Sequence, residues 1–173
     1  MQNLYVEVVP VMVKMLGGLK LVLQKSAAHA KEKGMSEEAF LGDRIAPDMF
    51  PFARQVQIAT DNAKGAAARL TGTENPKYED TEKTFAELQA RIDKTLAFLA
   101  TFGEAAFADA AERQVTLPYF PGKYMTGLDY AREYAIPNFF FHTCMAYALA
   151  RKNGVDIGKT DYMGGSLPLK DVA

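Results

Sequence analysis

Tyr134-Ala-Ile-Pro-Asn-Phe-Phe-Phe-His142 decides how this chain is read. Asn138 and His142 stand four residues apart in a segment that is otherwise almost wholly apolar. On a helix that spacing stacks two side chains on one face, one turn apart. Projected at about 100° per residue, Ala131, Ala135, Asn138, His142, Met145 and Leu149 share this face. A polar pair among small and apolar neighbours costs stability unless its hydrogen bonds are met. The pair therefore marks a ligand site, a metal site or a structural hydrogen-bond network.

The same segment carries a second signal. Pro137 has no backbone donor and strips a partner from a carbonyl about one turn earlier, near Glu133, so the helix is expected to kink or widen there. Ile136, Phe140, Cys144 and Tyr147 project opposite to Asn138. A helix that is apolar all round needs cover on both sides. The expectation is a homodimer through this last helix; the alternative is cover by the tail or by another helix of the same chain.

Working outward, helical periodicity dominates. Residues 3–33 form the first long helix, with Leu4, Val8, Met12, Met15, Leu19 and Leu23 at core spacing. Pro10 either kinks it or marks its true start, and Gly34 stops it. Ser36 caps a short helix that begins with Glu37 and Glu38. A second long helix is expected over residues 47–70, with Phe52, Val56, Ala59, Ala63, Ala66 and Leu70 inward. Its small residues at 63–68 allow another helix to approach closely. A third long helix spans residues 81–102 on Phe85, Leu88, Ile92, Leu96 and Leu99. Val115-Thr-Leu117, the Pro121-Gly122 turn and Lys123-Tyr124 read as a β-hairpin. Thr126, with Asp129 three residues on, caps the last helix, which Gly154 closes. After Gly158 the tail reads as irregular. The fold class is mainly α: an up-and-down four-helix bundle in one domain, residues 1–173, with a short extra helix and a hairpin before the last helix.

Composition narrows the function classes. Hydrophobic residues make up 49% of 173, enough for a sizeable core. Twenty basic and 21 acidic residues give a net charge of −1, which supplies no electrostatic case for nucleic acid or an anionic membrane surface. One cysteine, Cys144, excludes an intrachain disulfide and any multi-cysteine metal site. The start of the chain lacks a secretory pattern and no apolar run reaches a membrane span, so the expected location is cytoplasmic. No phosphate loop, dinucleotide fingerprint or nucleophile elbow occurs. Cys144 has no second histidine for a catalytic dyad, and His29, among alanines and Lys31, reads as surface.

On the second helix, Asp48 and Gln55 lie seven residues apart at the edge of the apolar stripe. If this helix meets the last one, either can reach Asn138 and His142. The plainer reading makes Asp48 a helix N-terminal acid and Gln55 a boundary residue. Gln57 and Asp61 project away and read as solvated.

Several stretches resemble one family. They are Ile45-Ala-Pro-Asp-Met-Phe-Pro51, Ala53-Arg-Gln-Val-Gln-Ile-Ala-Thr-Asp61, Thr84-Phe-Ala-Glu-Leu-Gln-Ala-Arg-Ile92, Pro137-Asn-Phe-Phe-Phe-His142 and Asn153-Gly-Val-Asp-Ile-Gly158. Together they are similar to an uncharacterised bacterial group within the DinB/YfiT-like superfamily of four-helix bundles. The resemblance implies an up-and-down bundle, usually dimeric. In many members it also implies a divalent metal on three histidines, one on the second helix and two in an HxxxH on the last; metal-bearing relatives include thiol-dependent transferases and hydrolases. Here the HxxxH position reads Asn138-Phe-Phe-Phe-His142, and the second helix has no histidine. One imidazole with amide oxygens is a poor zinc or nickel site. No cofactor is expected, beyond a weakly held divalent metal at His142.

Three functions follow. The first is a small-molecule ligand site between the second and last helices, with Asn138 and His142 orienting the ligand and Gln55 or Asp48 assisting. The second is a degenerate metal-dependent transferase or hydrolase with His142 as base or surviving ligand. The third is a dimeric structural bundle with a buried polar network.

Overall fold

The computed structural model describes residues 3–165 and 167–172. Its first helix, α1 (Leu4–Glu32), starts at Asn3, whose side chain accepts the Tyr5 N–H. Pro10 lies inside this helix and neither starts nor ends it. At the seventh position it lies past the first-turn donors, so it removes the bond that an N–H there would give to the Val6 carbonyl, and the helix continues through it. Gly34, at φ 65°, ends the segment.

Helix α2 (Glu37–Gly42) is capped by Ser36 as expected. Phe40 is fully buried and meets the rings of Phe52 and Phe85 edge-on, at centroid distances of 5.3 and 5.2 Å. The Glu37 carboxylate accepts the Phe85 N–H at 2.7 Å, so this short helix also neutralises the N-terminus of a long one.

Helix α3 (Phe52–Thr71) begins five residues later than the sequence reading placed it. Pro47 and Pro51 each hold the preceding residue out of the helical region, so residues 47–51 turn instead of coiling. Helix α4 (Phe85–Leu99) starts at a complete capping box of Thr84 and Glu87. A single turn at Glu104–Phe107 leads to the hairpin, β1 (Gln114–Thr116) paired antiparallel with β2 (Tyr124–Thr126). Gly122, at φ 73°, turns it where Pro-Gly predicted.

The last helix has three parts. Thr126 caps α5 (Gly127–Asp129), a π-helical segment follows at Tyr130–Ala135, and α6 (Ile136–Lys152) continues. Within the π segment the Ile136 N–H bonds to the Ala131 carbonyl, five residues back. This is the widening that Pro137 predicts: the carbonyl the proline ring would strike is moved aside and the backbone is bonded again at longer spacing.

The tail begins with one regular turn, and its described residues beyond Tyr162 are irregular as expected. That turn is α7 (Lys159–Tyr162), which lies against α1. A Cβ on Gly18 would overlap the Tyr162 carbonyl, so the close approach needs glycine at 18. Tyr162 reaches the outer side of α6, where its hydroxyl meets Cys144 Sγ at 3.1 Å and Thr143 Oγ1 at 3.3 Å. Cover by the tail, the alternative to a second subunit, thus accounts for the Tyr147 part of that face, while Cys144 touches Tyr162 and stays exposed.

Helices α1, α4, α3 and α6 form the bundle, each against two neighbours in that cyclic order, and α3 and α6 make the most extensive contact. The small residues at 63–68 are all buried, which is what permits it. Among the described residues no helix is long and apolar enough to cross a membrane.

Candidate functional site

The α3–α6 seam holds the polar residues that the sequence singled out. Gln55 is buried on α3, in its first turn. Its amide nitrogen donates to the Phe50 carbonyl at 3.0 Å, and its Oε1 lies 2.7 Å from His142 Nδ1. A carbonyl only accepts, so Phe50 fixes which end of the Gln55 amide faces His142. The end that does is an oxygen, which also only accepts. His142 Nδ1 therefore carries the proton, and the lone pair sits on Nε2.

His142 is 6% exposed. Burial first, and the Arg54 guanidinium second, push its pKa down to about 4. The ring is neutral at physiological pH, and Nε2 is an acceptor with no hydrogen-bond partner among the described residues. One turn earlier, the half-buried Asn138 donates its Nδ2 to Asn62 Oδ1 at 3.0 Å. Asn62 Nδ2 is buried and lacks a partner among the described residues.

These groups border a cleft of about 500 Å³. On the α3 side it is lined by Arg54, Ile58, Asp61, Asn62 and Arg69, and on the opposite side by Tyr134, Asn138 and His142. Phe50 closes one end; Leu117 and Tyr119, next to the hairpin, form the rest of the wall. Tyr130 and Tyr134 stack at 5.9 Å from the π segment, and Tyr130 accepts a hydrogen bond from Arg69 Nη1 at 3.2 Å. The π segment thus delivers two aromatic side chains to α3 just before Asn138. Of the clustered tyrosines, Tyr119 and Tyr134 reach the cleft wall and Tyr130 stays in the core behind it.

Several expectations need correction. Asp48 lies in the turn before α3, exposed and outside the cleft, because the two prolines delay the helix. Gln57 is buried and not solvated, and Asp61, though its side chain is 35% exposed, is paired, with Oδ1 2.8 Å from Arg91 Nη2 and 3.3 Å from Lys64 Nζ. His29 is half-buried, beside Gly154. Asn62 and Arg69 escaped the sequence reading. Asn62 stands seven residues after Gln55, two turns along α3, and that spacing was the available signal.

The metal site that the resemblance implies can be tested on this donor set. Among the described residues no three His, Cys, Asp or Glu side chains gather where they could hold an ion. His142 is the only imidazole in the seam and one of its nitrogens is bonded to Gln55; the Asn138 amide is bonded to Asn62. One free imidazole nitrogen and two engaged amides do not fit a tightly held zinc or nickel.

Residues 4–163 match the family described as Domain of unknown function (DUF1993). The chain is also similar to the crystal structure, at 1.83 Å resolution, of a DinB family member protein from Shewanella denitrificans. The two share 45% sequence identity and a TM-score of 0.92, over 98% of this chain and 96% of that one. No curated protein matches.

Proposed function

The chain belongs to the family Domain of unknown function (DUF1993) and is a DinB-like helical bundle; from that premise we propose that it binds a small organic ligand in the cleft between α3 and α6, without a tightly held metal. One observation carries this reading. The seam is hydrogen-bonded on its inner side and left open at the cleft: His142 Nε2 is an acceptor without a protein partner among the described residues, and Asn62, in the same wall, keeps a buried donor unpaired. A network built only for structure would close on itself, because each unpaired buried polar atom costs about 1–3 kcal/mol. The cleft sets these polar groups among Phe50, Ile58, Leu117, Tyr119 and Tyr134, and convergent polar groups beside apolar and aromatic side chains are the makings of a ligand site.

In this reading Asn138 and His142 orient the ligand. Gln55 is a positioning residue that fixes the His142 tautomer. Asp48 has no part. The chain also pairs with a second copy across the outer side of α6; in support, Phe141 is 52% exposed there and Ile136 and Phe140 are only half-buried.

Native mass spectrometry with elemental analysis on freshly purified protein tests these points together. The expected result is a dimer with substoichiometric metal and a retained small molecule that Asn138→Leu releases. One metal per chain revives the degenerate transferase or hydrolase reading, with His142 as the first ligand to replace. An empty, metal-free dimer puts the structural bundle ahead.

A further inference from the structure

The charges around the cleft are not evenly met. Arg54, Lys64 and Arg91 face Asp61, Asp80 and Glu82. Arg91 lies 2.8 Å from Asp61, 3.0 Å from Asp80 and 2.9 Å from Glu82; Lys64 also reaches Asp61, and Arg54 reaches Asp80. These three cations and three carboxylates balance one another.

Arg69 stands outside that cluster. It is half-buried, lines the cleft and has no carboxylate partner among the described residues. Two features hold it in place. Tyr130 accepts a bond from its Nη1, and the guanidinium carbon lies 5.9 Å from that ring's centroid. One turn back on α3, residue 65 is a glycine, and a Cβ there would overlap Arg69 Nη1. The guanidinium therefore rests against the helix where a side chain would otherwise be.

A guanidinium held in place, half-buried and without a counter-charge is preorganised for an anion. With one uncompensated cation, a monoanion matches the site better than a doubly charged phosphate group. The neighbouring wall is apolar and aromatic, from Ile58, Tyr119 and Tyr134. Building on the ligand reading above, we infer that the cleft takes a small organic carboxylate with a flat apolar body, its charged end on Arg69 and its body against Tyr134 and Ile58.

Naphthoate and its neutral isostere naphthamide test this on the full chain. Calorimetry gives the affinities, and the NMR signals of the His142 ring give the location. Naphthoate is expected to bind about tenfold tighter than naphthamide or more, with both probes moving the His142 signals. Arg69→Gln keeps a donor for Tyr130 and is expected to abolish the preference, bringing the two probes to comparable affinity. Gly65→Ala, which favours the helix, displaces the guanidinium without removing it and is expected to reduce the preference as well; it carries the test if Arg69→Gln does not fold. Equal affinities in the natural chain, or a preference that survives displacement or loss of the guanidinium, overturn the carboxylate assignment and leave the cleft as a ligand site. If neither probe moves the His142 signals, the ligand reading falls and this inference falls with it.

Discussion

His142 Nδ1 and Gln55 Oε1 meet at 2.7 Å across the α3–α6 seam, 87 residues apart in the chain. Both side chains are almost fully buried, so losing either leaves the other unsatisfied. His142→Ala and Gln55→Ala are each expected to cost about 1–3 kcal/mol in chemical denaturation. The double variant should cost less than the two together, by about 0.5–3 kcal/mol, because the pair shares one interaction. Strictly additive costs would show that the contact contributes nothing of its own.

The depressed pKa of His142 makes stability pH-dependent in a defined window. In the unfolded chain the ring titrates near its ordinary 6.5; folded, it holds out to about 4. Between those values the unfolded state binds the extra proton, so stability rises with pH there and is lost as pH falls from about 6.5 towards 4. The contribution is on the order of 3 kcal/mol, complete above neutrality. Denaturation midpoints at several pH values should show this slope in the natural chain and lose it in His142→Gln. With only two histidines in the sequence, an NMR titration assigned with that variant reads the pKa directly.

What the sequence made legible was local. The last-helix cap at Thr126, the hairpin turn at Gly122 and the widening before Pro137 each follow from a residue whose backbone preference is strong. The inward direction of His142 followed from spacing along one helix. Arg69, Gln57 and Asp61 were illegible for the opposite reason. A helical wheel sends them to solvent, but residues 72–84 return over α3 beside Gln57 and Asp61, the π segment brings Tyr130 to Arg69, and no periodicity encodes either approach. The π segment adds a second limit: it inserts an extra residue per turn, so positions before and after it do not project onto one wheel, and Phe139 takes the central buried place that spacing gave to Asn138. Asp48 is different, because Pro47 and Pro51 already carried the signal that excludes it from the helix.

The tail contact offers a test that leaves the core alone. In Gly18→Ala the new Cβ meets the Tyr162 carbonyl, which is backbone and cannot swing away, so α7 must move. Tyr162 then withdraws from Cys144 and Thr143. Because alanine favours the helix by about 1 kcal/mol over glycine, global stability should change little. The rate at which Cys144 reacts with an aromatic disulfide reagent is expected to rise several-fold. An unchanged rate would mean that the bond to the Tyr162 hydroxyl does not hold back the exposed thiol.

Arg91 supplies the largest expected effect. It is 4% exposed, and its guanidinium bonds to Thr60 and Asp61 on α3 and to Glu82 and the Glu79 carbonyl in the connection. It ties the connection over residues 72–84 down onto α3 and α4. Lys64, Arg91 and Lys94 also surround the Tyr78 ring, at 4.9, 5.1 and 4.3 Å from its centroid. Removing one partner of a buried charge cluster is far costlier than the cluster's net worth, because the remaining charges lose their compensation. Arg91→Met leaves Asp61, Asp80 and Glu82 against only Arg54 and Lys64, and should destabilise the fold by about 3–5 kcal/mol. Arg91→Lys keeps the charge but offers no planar fork to reach both sides, so it should recover only part of that loss. Hydrogen exchange distinguishes this from a general weakening: protection should fall first at residues 72–84 while α1 stays protected. Uniform loss across all four bundle helices would show that Arg91 supports the whole core and not this connection.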